Sequence, residues 1–215
     1  MPTEKKSEGM KVEISKVLDR IGALKFGAFK LTSGKMSPYY IDLRIVPSFP
    51  DAFEKICDYC VKFIKSEIGT ADVDRIAGIP VAGIPFASVV AFNLKKPFLY
   101  VRKGARFHGR ERRIEGIIAP GSRVLLMDDL ATTGLSLQKA AKAIDAEGGV
   151  VTDAFVLIDR QEGGREKLAK TGVKLHALLN ITEIASTLHE LGTIDQDQLK
   201  TILKQVKKKI EKANA

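Results

Sequence analysis

From about residue 75 onward, short apolar runs alternate with stretches that have helical spacing. The runs are "RIAGI", "FLYVR", "RVLLMDD", "VTDAFVLI" and "KLHALL", and helix-like stretches lie around 84–94, 134–147 and 164–171. Strands that are apolar throughout must be covered on both faces, which is typical of a parallel sheet whose crossovers are helices. The sequence therefore predicts an α/β fold with a mainly parallel central sheet flanked by helices.

The first seventy residues do not continue this alternation. They indicate a helix around 10–22, an extended segment near 37–45 and a helix that carries Cys57 and Cys60. A lone C-x-x-C pair is two ligands short of a zinc site, and its helical spacing favours two core thiols. We expect one domain over 1–215, in which about 1–45 forms a small N-terminal cap and about 195–213 forms an amphipathic C-terminal helix.

The net charge of +9 is concentrated in two places. They are "RKGARFHGRERR" (102–113) and the terminal "KQVKKKIEKANA". Such clusters suit a small polyanion and a solvated tail at least as well as a nucleic-acid duplex, so nucleic acid is not the expected partner. There is no apolar run of membrane-spanning length, and the start "MPTEKKSEGMK" is charged, which predicts a cytoplasmic protein with no membrane partner.

The segment "VLLMDDLATTG" (124–134) ends a strand on two carboxylates and continues with small and hydroxyl-bearing residues. One interpretation is a solvated strand end with an N-capping threonine. The other is a ligand site, because α/β sheets bind ligands beyond the carboxyl ends of their strands and helix N-termini bind anions. Carboxylates that bind a vicinal diol beside a phosphate site indicate a ribose 5-phosphate. The nucleotide motifs G-x-x-x-x-G-K-[ST] and G-x-G-x-x-G do not occur.

With this segment the chain resembles the type I phosphoribosyltransferases, whose substrate is phosphoribosyl pyrophosphate (PRPP). The resemblance implies that Asp128 and Asp129 hold the ribose hydroxyls and that the following loop holds the 5-phosphate. The PRPP-binding residues implied in this segment are Asp128, Asp129, Leu130, Ala131, Thr132, Thr133, Gly134, Leu135 and Ser136.

Three further blocks resemble the orotate phosphoribosyltransferases, and all four occur in that family's order. They are "ALKFGAFKLTSGKMSPYYIDLR" (23–44), "YVRKGARFHG" (100–109) and "DRQEGG" (159–164). The first resembles the family's N-terminal block, the second its mobile catalytic loop and the third the strand end whose arginine contacts orotate. The orotate-binding residues so implied are Thr32, Ser33, Gly34, Tyr40, Ile41, Thr132 and Arg160.

The implied reaction joins orotate to PRPP, giving orotidine 5′-phosphate and pyrophosphate in pyrimidine synthesis. Cations must stabilise the charge that develops on pyrophosphate, and Mg²⁺ is expected, held mainly by substrate and water close to the acidic pair. In the resemblance the turn "AGIPVAGIP" (77–85) faces pyrophosphate, and the loop 103–115 reaches the neighbouring active site of a homodimer. The implied pyrophosphate-side residues are Val81, Ala82, Gly83, Arg102, Lys103, Arg106 and His108, and the catalytic ones are Arg106, His108, Asp128 and Asp129.

Two positions depart from the family pattern. Thr32 stands where many orotate enzymes have a lysine, and Arg106 replaces the loop lysine. Arginine neutralises pyrophosphate but does not readily release a proton, which would then fall to His108. The alternatives are a purine or uracil phosphoribosyltransferase and a PRPP-binding transcriptional regulator of the same fold. A two-domain synthase that also decarboxylates the product is not expected, because about 35 residues after 180 are too few for a barrel.

Overall fold

The computed structural model describes residues 2–30, 34, 36–102 and 113–214. The helices are α1 (Pro2–Arg20), α2 (Pro50–Phe63), α3 (Gly83–Leu94), α4 (Leu135–Asp145), α5 (Gly164–Ala169), α6 (Ile181–Glu190) and α7 (Gln196–Asn214). The strands are β1 (Leu24–Lys30), β2 (Met36–Ile41), β3 (Arg75–Gly78), β4 (Phe98–Val101), β5 (Ile114–Glu115), β6 (Val124–Ala131), β7 (Asp153–Asp159) and β8 (Lys174–Asn180). A 3₁₀ helix (Leu43–Ser48) precedes α2, and a π-helical turn (Ile64–Ile68) follows it.

The central sheet has the strand order β5-β4-β3-β6-β7-β8. All neighbouring pairs are parallel except β4 and β5. The chain enters the sheet at β3, moves outward to β4, and then returns past β3 to β6. The crossovers from β3 and β6 therefore diverge, and the crevice beyond their carboxyl ends is where a sheet of this kind binds ligands. The predicted α/β fold with a mainly parallel sheet is confirmed.

Helices cover both faces of the sheet, as continuous apolar strands require. One apolar cluster joins the sheet to α1, α2, α3, α6 and α7, and the other joins it to α4 and α5. Cys57 and Cys60 are fully buried in the first cluster, and burial raises the pKa of both thiols. The interpretation of the C-x-x-C pair as core residues is therefore confirmed.

Within the predicted cap range, β1 and β2 form an antiparallel hairpin separate from the central sheet, and α1 packs on the main core. The extended segment expected near 37–45 ends at Ile41, because the Asp42 carboxylate accepts a hydrogen bond from the Arg44 N–H and caps the 3₁₀ helix. The strand β1 was not anticipated: its apolar residues are interrupted by Gly27, where the pairing register shifts.

The helix α6 was also not anticipated from the sequence, although the chain carries its start signal. Asn180 and Glu183 form a capping box, in which each side chain accepts a hydrogen bond from the other residue's N–H. Among the described residues, no helix is long and apolar enough to cross a membrane.

Candidate active site

The acidic pair lies at the crevice between β3 and β6. Strand β6 continues through both carboxylates to Ala131, two residues beyond the acidic pair, because the strand stays paired with β7 up to Asp159. Asp128 is buried and Asp129 is half-buried. The pair is therefore a wall of the crevice and not a solvated strand end.

Gly83 lets the turn after β3 approach this wall. The Ile79 N–H donates to the Met127 carbonyl across the crevice, at 3.0 Å. A Cβ placed on Gly83 would lie 2.8 Å from Asp128 Oδ1 and 2.9 Å from the Met127 oxygen. Only glycine fits there without moving the backbone. The tertiary structure thus brings the turn 79–83 against the acidic pair, although the two are over forty residues apart in the chain.

Burial affects the ionisation of the acidic pair. The Asp129 N–H donates to Asp128 Oδ1 at 2.9 Å. Burial raises the pKa of the Asp129 carboxyl, and a hydrogen bond involving Asp128 and the positive charge of Arg44 oppose this rise. Asp129 is therefore a carboxylate that gains from hydroxyl donors such as those of a ribose.

The residues after β6 form a small anion-sized pocket at the start of α4. Gly134 is the N-cap of α4 and has a left-handed conformation, with φ of 72°. A glycine has no side chain to accept from the N–H groups of the first turn, so these remain for an anion. A cavity of about 50 Å³ lies here, lined by residues of Asp128–Leu137.

Gly164 packs closely against the backbone of this loop. A Cβ on Gly164 would lie 2.7 Å from the Thr132 carbonyl oxygen and 3.0 Å from the Gly134 nitrogen. The Arg160 N–H donates to the Ala131 carbonyl at 2.9 Å, which joins the ends of β7 and β6. The "DRQEGG" block thus supports the loop as well as carrying the arginine expected to contact the base.

Arg160 is buried and lines a cleft of about 860 Å³. Its guanidinium carbon lies 4.8 Å from the centroid of the Tyr39 ring, and its Nε donates to the Tyr39 hydroxyl at 3.3 Å. Nη2 donates to Ser37 Oγ at 3.4 Å. The orientation of this cation is therefore set by residues of β2. The cleft is bounded on the other side by Asp129 and by the threonines of the predicted phosphate loop.

Sequence reasoning missed several residues of this cleft and its surroundings, including Lys25, Lys30 and Glu162. Tyr39 is not among the predicted orotate-binding residues, yet its ring packs against the Arg160 guanidinium. Arg44 lines the cleft and pairs with Asp42 at 2.7 Å, and its Nη2 donates to the Tyr40 hydroxyl at 2.9 Å. Lys209 of α7 also lines the cleft. The alternation of β2 could have shown that Tyr39 and Tyr40 face opposite sides, but nothing in the local sequence indicates Lys209.

The other residues predicted to bind orotate or pyrophosphate lie in the cleft, in the turn before α3, in a bend or outside the described part of the chain. Tyr40, Ile41 and Thr132 line the cleft, and Val81 and Ala82 lie in the turn before α3, with Val81 exposed. Gly34 is exposed in a bend. Predicted residues outside the described part of the chain are Thr32, Ser33, Lys103, Arg106 and His108.

The two ends of the predicted loop are close together. The Arg102 N–H donates to the Arg113 carbonyl at 2.7 Å, and the Arg102 side chain pairs with Glu115 at 2.7 Å. In the described part of the chain, Arg102 therefore lies at the base of the loop as the partner of a carboxylate.

Known proteins with a similar sequence or fold are phosphoribosyltransferases. Residues 51–189 match the family described as the phosphoribosyl transferase domain. The chain is 44% identical over 188 residues to the orotate phosphoribosyltransferase of Cenarchaeum symbiosum, covering 87% of this chain and 94% of that one. The crystal structure of orotate phosphoribosyltransferase from Aeropyrum pernix is similar with a TM-score of 0.70 and 33% identity, over 83% of this chain and 99% of that one. The structure of Leishmania donovani UMP synthase gives a TM-score of 0.83 and 30% identity, over 94% of this chain but 43% of that one.

The fold, the acidic pair and the loop that follows it define a phosphoribosyltransferase, and the chain belongs to that family. The identity and the coverage of its relatives place it more narrowly. Within the family it belongs to the orotate phosphoribosyltransferases.

Proposed function

We propose that this protein transfers the 5-phosphoribosyl group of PRPP to orotate, releasing pyrophosphate and orotidine 5′-phosphate in pyrimidine synthesis. The observation that carries the proposal is one cleft with Asp129 and Thr132 on one side and the buried Arg160 on the other. It offers hydrogen-bond acceptors for a diol, a helix N-terminus for a phosphate and a cation for an anionic pyrimidine. Membership of the orotate phosphoribosyltransferases supports the same assignment.

The reaction exchanges one bond for another at C1′ of the ribose. The bond from C1′ to the pyrophosphate oxygen breaks with its electron pair leaving on pyrophosphate, and N1 of orotate, having lost its proton, bonds to C1′. The ribose becomes cationic in between, so the buried Asp128 and half-buried Asp129 stabilise it as well as binding its hydroxyls. The helix N-terminus at Gly134 fixes the 5-phosphate and with it the distance from C1′ to the base.

Mg²⁺ fits this site as an ion held largely by substrate and water. Among the described residues, no cluster of three or more His, Cys, Asp or Glu side chains could hold a metal ion. The carboxylates of Asp128 and Asp129 are oxygen donors of the kind that Mg²⁺ prefers, and Mg²⁺ usually keeps several waters. When bound, the ion would neutralise part of the pyrophosphate charge. The Val81 and Ala82 N–H groups of the turn 79–83 would face the same anion.

The proposal includes a cytoplasmic homodimer in which the loop predicted over 103–115, whose last two residues form β5, completes the neighbouring site. Arg106 and His108 would then supply the remaining positive charge and the proton for pyrophosphate. The support is the loop's resemblance to the family's catalytic loop. Mixing a His108→Ala subunit with an Asp129→Asn subunit tests this arrangement. Shared sites restore about a quarter of wild-type activity in the mixture, whereas independent sites restore none.

A base panel tests the function itself. The protein is incubated with PRPP, Mg²⁺ and separately orotate, uracil, adenine, guanine or hypoxanthine, and pyrophosphate release is followed. Release with orotate alone is the expected result. Release with a purine or uracil would keep the PRPP site and refute the assignment of the base. PRPP binding without release for any base would instead favour a regulator.

A further inference from the structure

The C-terminal helix α7 contributes one residue to the cleft. Its apolar stripe packs on the core through Ile202 and Val206, and neighbouring lysines such as Lys207 and Lys208 are exposed. Lys209 differs: its side chain is 28% exposed and its Nζ lies 2.5 Å from Glu162 Oε2. One lysine of the basic tail is therefore directed toward the active site rather than toward solvent.

Glu162 connects this lysine to the arginine expected to contact the base. Its Oε1 lies 3.1 Å from Arg160 Nη2, and the side chains of Glu162 and Arg160 are 11% and 8% exposed. Oε1 is buried and its contact with Nη2 lacks hydrogen-bond geometry, so the attraction between them is one of charge. The orientation of Arg160 comes instead from hydrogen bonds to Ser37 and Tyr39.

The charges along this chain of contacts explain what Lys209 does. The largely shielded carboxylate of Glu162 next to Arg160 offsets the positive charge that an anionic base needs, and low solvent exposure strengthens this interaction. A second cation on the far side of Glu162 neutralises the carboxylate. The three groups then carry a net charge of +1 toward the cleft, whereas without Lys209 they carry none.

We propose that Lys209 is a specificity-determining positioning residue: by neutralising Glu162, it keeps the charge of Arg160 available to the carboxylate of the pyrimidine. The inference rests on the proposed function, because it concerns how that site recognises orotate. Orotate is a uracil ring with one carboxylate. Neutralisation of Glu162 therefore favours binding of orotate over binding of uracil. The terminal helix thus takes part in base selection.

The test compares steady-state kinetics of Lys209→Met with the wild type. Methionine keeps the apolar stem of the side chain and removes the charge. Loss of one close charge interaction predicts a fall of about tenfold in kcat/KM for orotate, mainly through KM. The KM for PRPP stays unchanged. Lys209→Arg retains activity, and Lys208→Met, on the exposed side of the same helix, is the matched control with wild-type kinetics.

A double variant separates neutralisation from packing. If Lys209 acts by neutralising Glu162, Glu162→Gln removes the need for it, and Lys209→Met adds no further loss in the Glu162→Gln background. Additive losses would overturn the inference, as would an unchanged KM for orotate in Lys209→Met or an equal rise in the KM for PRPP. Wild-type protein inactive with orotate would overturn the proposed function as well, whereas an active wild type with an unaffected Lys209→Met overturns the inference alone.

Discussion

Replacing Gly164 with alanine tests whether close packing against the "DRQEGG" block positions the predicted phosphate loop. The added Cβ would lie 2.7 Å from the Thr132 carbonyl oxygen, and about 0.7 Å of movement is needed to reach ordinary contact at 3.4 Å. The neighbouring atoms belong to the backbone of 132–134, so the loop itself must move. Gly164 does not have a positive φ, so the backbone conformation alone would accept alanine.

The expected cost has a structural part and a catalytic part. Overpacking of this kind costs about 1–3 kcal/mol of unfolding free energy, which lowers Tm by roughly 2–4 °C per kcal/mol in a chain of this size. A displacement of about 1 Å in substrate position can reduce the rate about 100-fold, so we expect kcat/KM for PRPP to fall by about 10- to 100-fold.

The assay is pyrophosphate release at varied PRPP with saturating orotate, together with thermal unfolding. Gly9→Ala is the matched control, because Gly9 lies in α1 with no atom within 4 Å of an added Cβ. It should leave the kinetics unchanged and stabilise the protein slightly, since alanine favours helix over glycine. Wild-type kcat/KM for PRPP in Gly164→Ala would refute the argument that this glycine positions the loop.

Three further predictions concern carboxylates. Asp128→Asn and Asp129→Asn should each lower kcat/KM for PRPP by about 10- to 100-fold, the value of a hydrogen bond to a charged group; folded variants with full activity would contradict the diol site. Because burial raises the folded-state pKa of Asp129, its ionised form costs stability above the unfolded-state pKa. Asp129→Asn should therefore raise Tm at neutral pH, and a lower Tm would count against this reasoning. Arg123 lowers the pKa of Asp74 from 3.8 to about 2, so this pair contributes stability that is lost as pH falls between those values. Urea unfolding of Asp74→Asn should show a shallower decline over that window than the wild type, and parallel curves would show that the pair contributes nothing.

Much of the fold could be predicted from the sequence because its patterns are local. Continuous apolar runs require cover on both faces, so β3, β4, β6, β7 and β8 were expected as strands of a parallel sheet. The helices α3, α4 and α5 follow from the stretches between them. Where the local pattern was weak, prediction failed: Gly27 interrupts the alternation of β1, and β5 has only two residues.

The residues of the site also fall into those predictable from the local sequence and those that were not. The acidic pair and the small-residue loop are contiguous, so the chemistry of a diol beside a phosphate could be deduced from "VLLMDDLATTG" alone. Contacts over long separations could not. Three contacts join residues that are distant in the chain. They are Gly83 with Asp128, Gly164 with Thr132, and the ion pair of Lys209 with Glu162.

The sequence by itself determined the fold class and the family, because each depends on local patterns or on blocks in a recognisable order. Only the tertiary structure decided that Tyr39 and not Tyr40 packs on Arg160, and that one lysine of the basic tail enters the cleft. The physical reason is that side-chain direction at these positions is set by packing against distant elements. For Lys209 it is α7 packing on the core that directs the side chain to Glu162.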